Sequence, residues 1–162
     1  MTIYVDADSC PRRARELIIR AALRTGTQAV FAANRPVPGI PAGTLFRMEI
    51  CPQGSDKADD FIAGHAAPSD IAVTRDVPLA ARLVQNNVTV MDDRGRLYTQ
   101  ENIRYYLSLR NFAVELAENN LIGERAPRYG ERELKAFAAS LDKELCRLQK
   151  ILLTPDSTRP LA

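Results

Sequence analysis

Aspartates gather at a few points along this chain of 162 residues. Asp6 and Asp8 stand two apart, Asp56, Asp59 and Asp60 share one short stretch, Asp76 follows Thr74-Arg75, and Asp92 and Asp93 are adjacent. Carboxylates grouped in this way repel one another, so the pattern asks for a compensating cation. Mg²⁺ or Mn²⁺ suits it, because a hard ion takes oxygen ligands and is held by a few carboxylates while keeping several waters. Asp56 and Asp59, three apart on a helix, can face one ligand. The competing explanation is helix capping, since Asp8 or Ser9, Ser55 or Asp56, and Asp76 each stand where a helix would begin. Capping accounts for one Asp per junction and leaves the doublets over.

The elements that would carry these residues follow from hydrophobic periodicity. Ile3-Tyr4-Val5 reads as a strand running into Asp6-Ala7-Asp8, with Pro11 opening a helix whose apolar positions are Leu17, Ile18 and Ala21 and whose end is Gly26. Strands are expected at 28–33, 45–50, 70–74 and 88–91, and helices at about 56–65, behind Pro78, and from Thr99 to about Glu118. A polar connection over 119–130 leads to a last helix from Glu131 to Leu153. Strand and helix alternate, which implies a mainly parallel five-stranded sheet with helices on both faces, because right-handed crossovers return each helix over the sheet. In such a sheet ligands bind beyond the carboxyl ends of the strands. Eight of the 11 aspartates fall at that rim, against Asp70 alone at the opposite one.

Composition narrows the classes. With 46% apolar and 26% charged residues the chain is an ordinary globular one, and its length makes it most simply one domain over 1–153 with a flexible tail at 154–162. A net charge of +2 does not by itself mark a nucleic-acid binder, so that argument rests on local charge. The basic residues are 18 Arg and four Lys, and the Arg fork is the better phosphate partner. Three dispersed cysteines form neither a metal-finger spacing nor a disulfide framework, and there is no leader and no apolar run of roughly 20 residues, so a cytoplasmic protein is expected.

Five separated strings then carry a resemblance: VDADSCP from Val5, AANRPV from Ala32, GSDKADDFIA from Gly54, VTRDVPLAARL from Val73 and RGRLYTQENI from Arg94. In order, over about residues 1–150, they resemble the YaiI/YqxD family, an uncharacterised bacterial family with a PIN-like fold. The resemblance implies a three-layer PIN-like α/β domain with a helical C-terminal extension. PIN-like domains are Mg²⁺- or Mn²⁺-dependent nucleases that act mostly on RNA. Carried over residue by residue, this implies metal roles for Asp6, Asp8, Asp56, Asp59 and Asp76, with Asp6 and Asp76 as the catalytic pair. Asp92 and Asp93 stay outside that set, because the family usually has Pro before the Arg-Gly. Arg12, Arg13, Arg75, Arg94 and Arg96 are expected near the same rim, where their forks would hold flanking phosphates, and Asn34 would touch substrate.

Two rivals to the nuclease reading come from the same residues. A nucleic-acid-binding or interaction protein without catalysis needs the arginines and no metal. A haloacid-dehalogenase-like phosphatase would use Asp6 as nucleophile with Thr74 and Asp92-Asp93 as later motifs, but it lacks a lysine between Thr74 and Asp92 and leaves Asp56 and Asp59 without a role. His65 and Cys10 read as structural. Along the last helix Leu134, Ala138, Leu141, Leu145, Leu148 and Leu152 form a heptad-like seam, which either packs on its own domain or joins two chains as a homodimer.

Overall fold

The computed structural model describes residues 1–54, 56–122 and 128–154. Its core is one sheet whose strands are β1 (Thr2–Asp6), β2 (Gln28–Ala33), β3 (Phe46–Ile50), β4 (Ile71–Val73), β5 (Thr89–Met91) and β6 (Leu97–Tyr98). The helices are α1 (Arg12–Thr25), α2 (Lys57–His65), α3 (Val77–Gln85), α4 (Ile103–Glu118) and α5 (Glu131–Leu153). The strand order is β3-β2-β1-β4-β5-β6, parallel throughout except that β6 runs antiparallel to β5.

The inner strands β1, β2, β4 and β5 are largely apolar on both faces, as burial between two helical layers requires, whereas edge strand β3 carries Arg47 and Glu49 on one face. Along β1, Ile3 and Val5 point to the layer of α1 and α5, where they meet Ile18, Phe31, Phe137 and Leu141. On the other face Ala32, Ala72 and Val90 meet Ile62, Leu79 and Leu83 of α2 and α3, with Ile103 of α4 at the margin. This is a three-layer α/β architecture, and the strands and helices stand within a few residues of their expected positions. Among the described residues no helix is long and apolar enough to cross a membrane.

Two expectations are corrected. The sheet has six strands, because Leu97-Tyr98 folds back on β5 through the Asp92–Arg96 turn. Two residues are too few for alternation to register in a sequence. The helix expected from Thr99 begins after the hairpin at Ile103, with Asn102 before its first turn. Gly95 ties the hairpin to α5: its φ is +84°, a Cβ there would stand 2.5 Å from the Ala136 carbonyl oxygen, and Ser140 Oγ donates to its own carbonyl at 2.7 Å. The α5 seam is spent inside the chain, with Phe137, Leu141, Leu145 and Leu148 buried against α1 and the sheet, while Leu152 is 54% exposed. That buried row follows the 3.6-residue period of a helix on a globular core, in which Phe137 takes the place expected for Leu134. The link residues 123–127 and the tail 155–162 lie outside the described residues.

Candidate functional site

Chain order reverses at β1. The connections through α1 lead outward to β2 and β3, and α2 then carries the chain back across to β4 on the other side of β1. The loops after β1 and β4 therefore diverge and leave a crevice at the carboxyl edge. Asp6, the last residue of β1, and Thr74, the first after β4, meet across it. Thr74 Oγ1 donates to Asp6 Oδ2 at 2.9 Å, and Ser9 Oγ donates to the same oxygen at 2.6 Å. Asp6 is 5% exposed, so the two hydroxyls hold a buried carboxylate in one orientation and leave Oδ1 uncommitted.

Asp8 follows in the same loop, and the other aspartates arrive from two further segments. Asp8 is exposed, and its Oδ2 accepts the Asn34 backbone N–H at 2.8 Å, which ties the β1–α1 loop to the end of β2. Asp56 precedes α2 with φ of +70°, a left-handed conformation that Asp tolerates better than most side chains, and makes no side-chain cap bond. Asp59 follows one turn later, half-buried. Asp76 Oδ1 accepts the Leu79 N–H at 2.8 Å and so caps α3. The five carboxylates line one open basin of about 400 Å³, whose wall also carries Ser9, Asn34 and Arg75.

Capping thus accounts for Asp76 alone. The residue before α1 is Pro11, without a side-chain cap, Ser9 is used on Asp6, and Ser55 lies outside the described residues. Crowding shows in the electrostatics: burial, then Asp76, Asp6 and Asp56 in turn, push the Asp59 carboxyl up to about 6, with Arg82 opposing. Cys10 beside the basin is buried, and that burial followed by the charge of Asp93 pushes its thiol up to about 12. It is therefore no thiolate nucleophile at neutral pH.

The donor set fits a hard divalent ion held largely through water. Among the described residues no three acidic, imidazole or thiol groups converge tightly enough to hold an ion among themselves. Mg²⁺ accepts such a basin, because it usually keeps several waters and takes only one or two carboxylates directly. Among the described residues Asp6 Oδ1 and the side chain of Asp56 have no hydrogen-bond partner, so both are open to the basin.

The substrate-binding candidates are spread more widely. Arg75 and Asn34 line the basin, and Asn34 Oδ1 is buried without a hydrogen-bond partner among the described residues. Arg12 pairs with Glu16 at 2.8 Å and Arg13 with Glu131. Arg94 stands 3.9 Å from Glu133 and lies over the Tyr129 ring, and Arg96 stands 3.8 Å from Asp92 and over the Tyr106 ring. Asp92 and Asp93 are committed elsewhere. Asp92 Oδ1 accepts the backbone N–H groups of Arg94 and Arg96, both at 2.9 Å, and shapes the hairpin turn. Asp93 grips Arg75 through Nε at 2.6 Å and Nη2 at 2.5 Å, while Tyr129 Oη donates to the Asp93 carbonyl at 2.7 Å. Sequence reasoning passed over Ser9 and Thr74 as supports of Asp6 and over Asp93 as the anchor of Arg75. For the hydroxyls a signal existed, namely their positions three after Asp6 and two before Asp76. For Asp93 none did, since its partner lies 18 residues away.

Comparison with known proteins gives a consistent result. Residues 4–147 match the model described as "Uncharacterized BCR, YaiI/YqxD family". A UPF0178 protein of Psychromonas ingrahamii is 41% identical over 150 residues, covering 93% of this chain and 99% of that one. A UPF0178 protein of Syntrophobacter fumaroxidans is 42% identical, covering 93% and 98%, and one of Treponema pallidum 43% identical, covering 93% and 85%. No solved structure matches the chain.

Proposed function

The chain belongs to the YaiI/YqxD family, and we propose that it is a divalent-metal-dependent phosphodiester hydrolase, a nuclease that acts on RNA. One observation carries this reading: five aspartates from separate segments of a single chain open on one basin at the switch point of a parallel sheet. A second copy of the chain is not needed to complete it. A cytoplasmic site of action goes with an RNA substrate and with three free thiols.

A bound Mg²⁺ or Mn²⁺ would supply Lewis-acid polarisation of a phosphate and a more acidic water. The chain's own groups do the rest. Asp6, fixed by Ser9 and Thr74, offers Oδ1 as a ligand that needs no reorganisation. Asp76 caps α3 with Oδ1 and retains Oδ2 for the basin. Asp8 and Asp56 add exposed oxygens at either side. Asp59, with its carboxyl near 6, can hold or release a proton close to neutral pH. Arg75 spends Nε and Nη2 on Asp93, which leaves Nη1 for a phosphate oxygen.

The non-catalytic nucleic-acid binder stays as a second reading because the described carboxylates do not converge on one point. The phosphatase reading loses support, since Asp92 and Asp93, its later motif, are bound to the hairpin turn and to Arg75. The decisive experiment measures cleavage of single-stranded and structured RNA and DNA with Mg²⁺ or Mn²⁺, with Asp6→Asn and Asp76→Asn as controls. Asn also caps helices well, so Asp76→Asn removes charge while sparing α3. Both variants should lower cleavage on the order of a hundredfold or more. No cleavage by the wild type with either metal would leave the binder.

A further inference from the structure

The arginines that the sequence pointed to are engaged with carboxylates, whereas two others beside the basin are not. Arg15 and Arg35 make no ion pair with any described residue. Arg15 is half-buried on α1, and its Nη1 donates to the Cys10 carbonyl at 2.5 Å, which fixes the guanidinium without neutralising it. Arg35 is exposed at the start of the loop after β2, a loop stiffened by Pro36 and Pro38. Together they line a trough of about 370 Å³ between α1 and that loop, with Ala7 and Asp8 as its floor. Asp8 lines the trough and the basin alike, so the two adjoin at that residue. At its far end Arg15 and Pro38 pass into a smaller cavity of about 200 Å³. The first turn of α1 beside it holds no acidic residue, so the helix dipole adds to the positive field.

From this adjacency we propose that the trough carries the flanking nucleotides of a single-stranded polynucleotide into the aspartate basin, with Arg15 and Arg35 holding its phosphates. The proposal rests on the reading of the basin as a phosphodiester site and names the path by which the strand reaches it. Cationic forks at the trough offset the repulsion that a polyanion meets at the aspartates. Pro36, Val37 and Pro38 supply an apolar wall for sugar or base, the part that aromatic side chains play in other single-strand grooves. A concave trough of nucleotide size admits one strand and excludes a convex duplex.

The test is binding of fluorescein-labelled single-stranded oligouridylate and oligothymidylate, by anisotropy, in EDTA and again in Mn²⁺ with cleavage followed on gels. Arg35→Glu should weaken binding of both probes by about tenfold, and Arg35→Ala should make the log–log salt dependence shallower by about 0.7. Arg20→Glu, an exposed charge on α1 outside the trough, should change binding far less. Arg35 lies on an exposed loop, so its variants test the trough without threatening the core, whereas Arg15→Ala also removes the tie to Cys10. Equal losses from Arg35→Glu and Arg20→Glu, no loss from either, or no wild-type binding in both buffers would overturn the trough. Cleavage that is indifferent to Arg35 would overturn it and spare the nuclease. Binding that depends on Arg35 without cleavage in Mn²⁺ would support the trough and remove the nuclease.

Discussion

Asp6 ends β1 and Asp93 follows β5, both inner strands of the sheet, and both are nearly inaccessible, at 5% and 1% exposure. Their surroundings differ in kind. Asp93 faces a guanidinium that meets it with two hydrogen bonds, and Tyr129 closes over the pair. Asp6 receives two neutral hydroxyls and looks onto further aspartates. One site is a finished charge pair, and the other groups five carboxylates with Arg75 on the basin wall and Arg82 opposing the rise of Asp59. Removing the partner of a buried ion pair costs several kcal/mol, whereas carboxylates that crowd one another are relieved when one of them is neutralised. The contrast separates an aspartate that anchors a guanidinium from aspartates that crowd one another around an open basin.

The sharpest test of the finished pair is Arg75→Ala. It strands a 1%-exposed carboxylate and should destabilise the protein by about 3 kcal/mol, read as a lowered urea midpoint at unchanged m. A loss under about 0.5 kcal/mol would mean that the bidentate geometry adds little and that the two regions are alike.

The unfinished site should respond to metal instead. Millimolar Mn²⁺ is expected to raise the melting temperature, and at tenfold over its Kd the gain is about 1.4 kcal/mol, roughly 3–6 °C for a chain of this size. Asp6→Asn should abolish most of that gain without lowering apo stability, because an amide carbonyl still accepts from Ser9 and Thr74. A melting temperature indifferent to Mn²⁺ would put the basin in the same class as the Asp93 corner.

The smallest effect concerns Asp59. Its carboxyl is raised to about 6 in the folded protein against 3.8 ordinarily, so between about pH 4 and 6 the native state binds more protons than the unfolded one. Apo stability should therefore be greatest below that window and fall as pH rises through it. Asp59 is half-exposed, and solvent screening keeps the loss to about 1 kcal/mol or less. Asp59→Asn should flatten this window and raise the apo melting temperature at neutral pH by a few degrees at most. An unchanged pH profile in that variant would show that the crowding at the basin is relieved by water alone.

Much of this protein is determined by its sequence alone. Alternating apolar strands and amphipathic helices dictate the layers, because each apolar face must be buried and crossovers have one hand, and the rule for parallel sheets places Asp6, Asp8, Asp56, Asp59 and Asp76 at one edge. Which aspartates remain open was decided only by the tertiary structure. Asp76 as a cap depends on a partner three residues on, but the fates of Asp6 and Asp93 depend on Thr74, 68 residues from Asp6, and on Arg75, 18 residues from Asp93. The same holds for the arginines: Arg13 is met by Glu131 from 118 residues away, while Arg15, two residues on and therefore on another face of α1, lines the trough with the loop after β2. Charge pairing is set by distance in space, and local spacing carries no information about which distant chain segment will supply the partner.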